Sequence, residues 1–190
     1  MLFKMRQLKL PLKRWGGKRR GAGRPRKDGL RGPGVPHLVR PVLKRRFPVH
    51  VTWRMRDGLR SLRSRRCFSA LSQAMWKGSD RFGFRLVHYS VMGNHVHLLV
   101  EANDRRSLGR GMQGLGVRIA KSLNRVMGRH GSVLRDRYHA HILRTPKETK
   151  HARHYLLTNA QHHYDETGPD PFTSLAPLIE PQTFFLRRLE

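Results

Sequence analysis

Two runs that read as strands, Phe84 to Met92 and His95 to Glu101, meet at the dipeptide Gly93-Asn94. Side chains alternate across a strand, and Gly-Asn is a turn dipeptide. The segment 84–101 therefore predicts a β-hairpin. Its second arm places Val96, Leu98 and Val100 on one face and His95, His97, Leu99 and Glu101 on the other. One face asks for a core, and the remaining elements have to supply it.

Those elements are legible on both sides of the hairpin. Phe47 to Trp53 alternates and is β-branched, so it reads as a strand. Arg65 to Phe82 carries Phe68, Leu71, Met75 and Trp76 at a helical period. Ser107 to Met127 predicts a basic amphipathic helix with Ser107 as N-cap; its apolar positions include Leu108, Met112, Leu115, Val117, Ile119, Ala120, Leu123 and Val126. Tyr138 to Leu143 reads as a further strand. Thr145-Pro146 then opens a last helix that runs to about His163, with Thr145 as N-cap. The order β-α-β-β-α-β-α is a split β-α-β pattern. It predicts an α+β fold, a ferredoxin- or RRM-like antiparallel sheet with helices packed on one face. Residues 168–190 contain four prolines and read as a surface-packed tail. No internal repeat is present.

Charge divides the chain. Forty Lys and Arg against 12 Asp and Glu give +28, a balance that points to a polyanionic partner. Residues 1–46 hold 16 of the cations, one acid (Asp28), seven Gly and five Pro. Such a segment cannot bury enough apolar surface to offset its ordering entropy, so it predicts a disordered basic arm. The expected organisation is an arm over 1–46, a folded domain over 47–167 and a tail over 168–190. Within the arm, Gly21-Ala22-Gly23-Arg24-Pro25-Arg26-Lys27 resembles an AT-hook, which would make Arg24 and Arg26 minor-groove contacts. A solvated tail making nonspecific phosphate contacts is the plainer reading. The single Cys67 excludes an internal disulfide and a Cys-based zinc site. No apolar run is long enough to span a bilayer, and Lys4, Arg6 and Lys9 interrupt any signal-peptide core. The expectation is a cytoplasmic, nucleoid-associated protein with no membrane partner.

Candidate chemistry begins with His95-Val96-His97, whose imidazoles share a strand face about 7 Å apart at their Cα atoms. Neutral imidazole is a common metal ligand, although such pairs also occur as exposed or hydrogen-bonded histidines. Tyr155 and Asn159 lie one helical turn apart on a shared face. A phenol can attack phosphorus, and an amide oxygen can join a metal site; a tyrosine on such a helix more often packs in a core. Glu101, on the histidine face, reads as a solvated strand end. His139-Ala140-His141 is a competing His-x-His pair, ranked lower because Ala140 anchors a strand poorly. His151, four residues before Tyr155, is a further active-site candidate. Arg110, Arg118, Lys121 and Arg125 on the long helix could track a DNA backbone. Trp53, Trp76 and Tyr89 could stack on bases, with core packing the default for each.

Together these segments resemble a known family. Ser90-Val91-Met92-Gly93-Asn94-His95-Val96-His97-Leu98-Leu99-Val100 resembles the HUH motif of single-tyrosine transposases, and Tyr155-Leu156-Leu157-Thr158-Asn159 resembles their nucleophile helix. Arg135-Asp136-Arg137-Tyr138-His139 and Asp170-Pro171-Phe172-Thr173-Ser174 are similar to flanking segments of the REP-associated branch. The resemblance covers roughly 47–175; Ala160 stands where the family often has Pro, and the basic arm is outside the family core. It implies that His95, His97 and Asn159 hold Mg²⁺ or Mn²⁺, and that Tyr155 cleaves and rejoins single-stranded or hairpin DNA through a 5′-phosphotyrosine intermediate. It leaves open a monomer or a homodimer. A noncatalytic, domesticated DNA- or RNA-binding regulator is the alternative from another class, and a relaxase or replication initiator is a third.

Overall fold

The computed structural model describes residues 39–164 and 170–174. Its elements are β1 (Val49–Arg54), α1 (Arg65–Lys77), β2 (Asp80–Arg81), β3 (Phe84–Val91), β4 (His95–Ala102), α2 (Arg105–Met127), β5 (His139–Ile142) and α3 (Pro146–Tyr164). The strands form one sheet in the order β2-β3-β4-β1-β5. Every pairing is antiparallel, so the expected α+β class and split topology hold.

Strand alternation divides the sheet into two unlike faces. Val49, Val51 and Trp53 of β1 join Val96, Leu98 and Val100 of β4 in the main core. α1 and α2 complete it with Cys67, Leu71, Ala74 and Met75, and with Leu108, Met112, Leu115, Ile119 and Leu123. The approach of α2 is close enough to require glycine: a methyl on Gly111 would overlap the Phe84 ring, and one on Gly116 the Trp53 indole.

The third helix takes the opposite face. Ala152 and Leu156 of α3 pack with Leu99 of β4 and with Leu143 in a small separate cluster. Two helices thus share a face as expected, while α3 crosses the face that carries His95 and His97. The reason lies in β4, where Leu99 interrupts a polar face with one apolar contact for Leu156.

Local boundaries differ from the sequence expectation in three places. α1 stops at Lys77, and Gly78 caps it; Asp80–Arg81 then forms the short strand β2, too brief and polar to show a period. Trp76 is exposed instead of lying in the core. α2 begins at Arg105, because the Asp104 carboxylate accepts the Ser107 amide at 2.7 Å and is the N-cap in place of Ser107. At α3 the expectation holds: Thr145 Oγ1 accepts the Glu148 amide at 3.1 Å, and Pro146 is the first helical residue.

The segments on either side of the expected domain are anchored to it. Leu43 is buried, and the Arg40 guanidinium lies 3.7 Å above the Tyr138 ring and donates to the Tyr138 carbonyl at 2.8 Å. The end of the presumed arm therefore packs as part of the fold. Asp170–Ser174 lies along β3, with Val91 donating to the Phe172 carbonyl at 2.9 Å and Ser174 donating to the Tyr89 carbonyl at 3.0 Å. Residues 1–38, with the AT-hook-like Arg24 and Arg26, and residues 175–190 lie outside the described residues. No helix among the described residues is long and apolar enough to cross a membrane.

Candidate active site

The histidine face is richer than the hairpin alone predicts. In the register, His50 of β1 sits opposite Leu99, and Thr52 opposite His97. On β3, Ser90 is opposite His97 and His88 opposite Leu99. On β5, His141 faces His50 and His139 faces Thr52. Strand alternation therefore puts imidazoles from four neighbouring strands on one surface.

At its centre, the His95 and His97 Nε2 atoms are 3.1 Å apart. Each ring is held from behind. His95 Nδ1 is 2.8 Å from Asn94 Oδ1 in the hairpin turn, and that carbonyl accepts a proton carried on Nδ1. His97 Nδ1 lies 3.2 Å from Thr52 Oγ1 and 3.3 Å from His50 Nε2. With both Nδ1 atoms protonated, the two Nε2 lone pairs address the same point. His50 and Thr52 were not singled out from the sequence. The signal was available in the alternation of 47–53, but only the register aligns it with the histidine pair.

α3 delivers Tyr155 onto this surface within the same chain. Its ring centroid is 5.2 Å from that of His97, meeting it edge-on at 89°, and 5.9 Å from that of His50. Tyr155 remains 39% exposed, so a substrate can reach the hydroxyl. One turn later Asn159 is buried, and neither atom of its side-chain amide has a hydrogen-bond partner among the described residues. A buried amide without partners is costly, so its position calls for a ligand.

The far end of α3 is pinned to the hairpin. Tyr164 Oη accepts the Gly93 amide at 2.8 Å. The Arg63 guanidinium lies under the Tyr164 and Phe172 rings and donates to Asp170 Oδ2 at 3.0 Å and to the Val91 carbonyl at 3.2 Å. The Asp170–Ser174 segment thus helps tie the helix to the strand pair that it crosses.

Burial and mutual repulsion keep the imidazoles neutral. His97 is pushed down to about 3, first by burial and then by His95, His50 and His163. His95 is lowered by burial, then by His163 and Arg54. His50 is lowered by burial, then by His141 and His139. Neutral imidazole is the ligand form. Among the described residues no three His, Cys, Asp or Glu side chains gather around one point, so the donors brought face to face here are the two imidazoles. Two facing imidazole lone pairs are donors that a divalent cation takes.

Other candidates stand apart from this site. His139 and His141 share the face but are exposed on the edge strand, with His141 3.8 Å from Glu148. His151 is exposed; on α3 it is His163 whose charge reaches His95 and His97. Glu101 pairs with Arg85, at 3.1 Å from its Nε, on the exposed strand end. Arg110, Arg118, Lys121 and Arg125 belong to α2, which covers the opposite face. They do not border Tyr155, and the Arg110 guanidinium rests 4.8 Å from the Phe82 ring centroid. Trp53 is buried, donating to the Asp136 carbonyl at 3.1 Å.

Fold and site together define an α+β domain of the transposase class. A family model described as "Transposase IS200 like" matches residues 44–167, and the chain belongs to that family. Among solved structures it is similar to a REP-associated tyrosine transposase bound to a REP hairpin, at 18% identity and a TM-score of 0.57, over 73% of this chain and 82% of that one. A Deinococcus radiodurans protein described as a candidate transposase is similar at 16% identity and a TM-score of 0.45, over 66% of this chain and 95% of that one. No curated protein matches the chain significantly.

Proposed function

We propose that the protein is a metal-dependent DNA strand transferase that cleaves and rejoins single-stranded or hairpin DNA through Tyr155. The observation that carries this reading is the Tyr155 ring 5.2 Å from His97 in the same chain. The family membership supports the chemistry, and the hairpin bound by the structural relative supports the substrate class.

In this reading the Tyr155 oxygen attacks the scissile phosphorus and gives up its proton. A phosphorus–oxygen bond to tyrosine forms, and the bond to the 3′ oxygen breaks. That oxygen takes a proton and leaves as a 3′-hydroxyl. The 5′-phosphotyrosine keeps a phosphodiester available for rejoining when a 3′-hydroxyl attacks in the reverse sense. His95, His97 and Asn159 would hold Mg²⁺ or Mn²⁺, which withdraws charge from the phosphate oxygens. Asn94, Thr52 and His50 keep the two imidazoles oriented for that task. The short path within one chain supports a tyrosine that serves its own histidines, so a monomer suffices.

A labelled oligonucleotide that carries the cognate site tests the reading. The wild type should form a metal-dependent covalent adduct, stable in denaturant, and Tyr155→Phe should form none. An equal adduct in Tyr155→Phe would remove Tyr155 from its role. Binding that survives chelation, with no adduct in the wild type, would favour a noncatalytic regulator.

A further inference from the structure

The face by which α3 lies on the sheet is narrow, with Ala152, Leu156, Asn159 and Ala160 buried along it. Tyr155 and Tyr164 are about two and a half helical turns apart. They therefore flank that face on opposite sides. On one flank the Tyr155 ring meets His97 and His50. On the other, Tyr164 Oη accepts the Gly93 amide at 2.8 Å. The next residue in that turn, Asn94, is the one that holds the His95 ring.

Arg63 secures the second flank. Its guanidinium lies 4.6 Å from the Tyr164 ring centroid and 4.2 Å from that of Phe172. It donates to the Val91 carbonyl at the end of β3 and to Asp170, and the two charged side chains are 9% and 1% exposed. Desolvation offsets most of the attraction in a buried ion pair, so such a pair is poorly explained by stability. It is better explained by what it holds in place, here the helix end, the hairpin and the segment 170–172.

The apolar contacts of α3 are nondirectional and leave the helix free to roll. The Gly93 hydrogen bond is directional and does not. A roll of about 10° moves a side-chain tip by about 1 Å on a helix of about 5–6 Å radius. A displacement of that size at a reacting group costs about a hundredfold in rate. We infer that Arg63 and Tyr164 are positioning residues that fix the roll of α3, and with it the seat of Tyr155 over the imidazole pair, an inference that rests on the reading of Tyr155 as nucleophile. Arg63 acts through Tyr164, Phe172 and Asp170, and Tyr164 acts through Gly93.

The test uses the full chain and single-turnover adduct formation on the labelled cognate strand. Varying DNA and Mn²⁺ separates the maximal rate from the half-saturating concentrations. Arg63→Gln and Tyr164→Phe should lower the maximal rate per folded molecule by about 10- to 100-fold, with both half-saturations within about twofold of wild type. Tyr164→Phe keeps the ring beside Arg63 and removes only the hydroxyl, so it serves where Arg63→Gln fails to fold. The combined variant should be within about twofold of Arg63→Gln, because both residues act through one contact. Arg63→Lys, which keeps the charge at Asp170, should recover part of the rate. Arg66→Gln removes an exposed charge from α1 and should keep the wild-type rate. A wild-type maximal rate in folded Arg63→Gln and Tyr164→Phe would overturn the inference. So would a loss confined to half-saturation by DNA, or an equal fall in Arg66→Gln.

A second readout does not depend on cleavage. The His97 imidazole resonance carries the ring current of Tyr155, whose centroid is 5.2 Å away. In Arg63→Gln and Tyr164→Phe that resonance should move toward its position in Tyr155→Leu. The two readings fail separately. A wild type that forms no adduct, with the resonance still moving in both variants, loses the nucleophile and keeps the seating. A wild type that forms its adduct, with neither rate nor resonance moving in the variants, loses the seating alone.

Discussion

The two faces of β4 show how one strand can serve stability and chemistry at once. Val96, Leu98 and Val100 are fully buried against α1 and α2 in a continuous core. The alternate residues His95 and His97 meet polar groups from β1 and the hairpin turn, and a helix held mainly by Leu99, Leu143, Ala152 and Leu156. One face is held by the hydrophobic effect and is broad. The other is narrow and carries buried polar groups that have no partner among the described residues, Asn159 and Ser90 among them. A protein retains such groups where function needs them, because each costs stability. The comparison predicts that neighbouring substitutions on β4 will fail in different ways.

The largest separation should come from His97→Ala. Adduct formation should fall by about a thousandfold or more, about 4 kcal/mol of transition-state stabilisation, with little loss of thermal stability. The measurement pairs an adduct assay with a denaturant melt. A variant that unfolds but keeps its adduct yield per folded molecule would show that His97 belongs to the core. The neighbour Leu98→Ala should do the reverse. Removing this fully buried side chain should cost about 2–5 kcal/mol in the melt, while the fraction that stays folded still reacts.

How much of this contrast the sequence carries depends on range. The hairpin, the two imidazoles on one face and the Thr145-Pro146 helix start follow from period, turn chemistry and capping, which act over a few residues. The family resemblance added Tyr155 and Asn159 as partners of the histidines. His50 and Thr52 stayed hidden because their role needs the pairing of β1 with β4, across more than 40 residues of chain. The side taken by α3 follows from a small cluster in which Leu99 is the one apolar residue that β4 offers among its polar alternates, a contact with no periodic signal. The α2 cations attracted attention through their number, yet sheet topology places them away from Tyr155. β2 escaped notice because two polar residues form it.

A finer comparison sets His50 against His97. His50 meets the site at His97 and at the Tyr155 ring. His50→Ala should therefore weaken Mn²⁺ binding and adduct yield by about 10- to 100-fold, less than His97→Ala does. Titration of Mn²⁺ followed by its paramagnetic resonance reads this apart from activity. His50→Gln, which can still hydrogen-bond, should recover part of the loss. Equal metal affinity in His50→Ala and wild type would reduce His50 to packing.

The smallest effect distinguishes the faces by pH. His97 has a pKa of about 3 in the fold and about 6.5 unfolded. Above pH 6.5 neither state holds a proton there, and the full stability is present. As pH falls from 6.5 toward 3 the unfolded chain takes up the proton and the fold does not, so stability is lost. From pH 7.5 to pH 5.5 this imidazole alone should cost on the order of 1 kcal/mol. The groups facing it are His50 from β1, His95 from β4, and His163 and Tyr155 from α3. They remain in both proteins when wild type is compared with His97→Gln. With a chelator present, the variant should lose on the order of 1 kcal/mol less than wild type over that interval, whereas Leu98→Ala should keep the wild-type pH slope at lower stability. Parallel slopes in wild type and His97→Gln would mean that this imidazole is already hydrated in the fold, and the histidine face would then be open where it is described as closed.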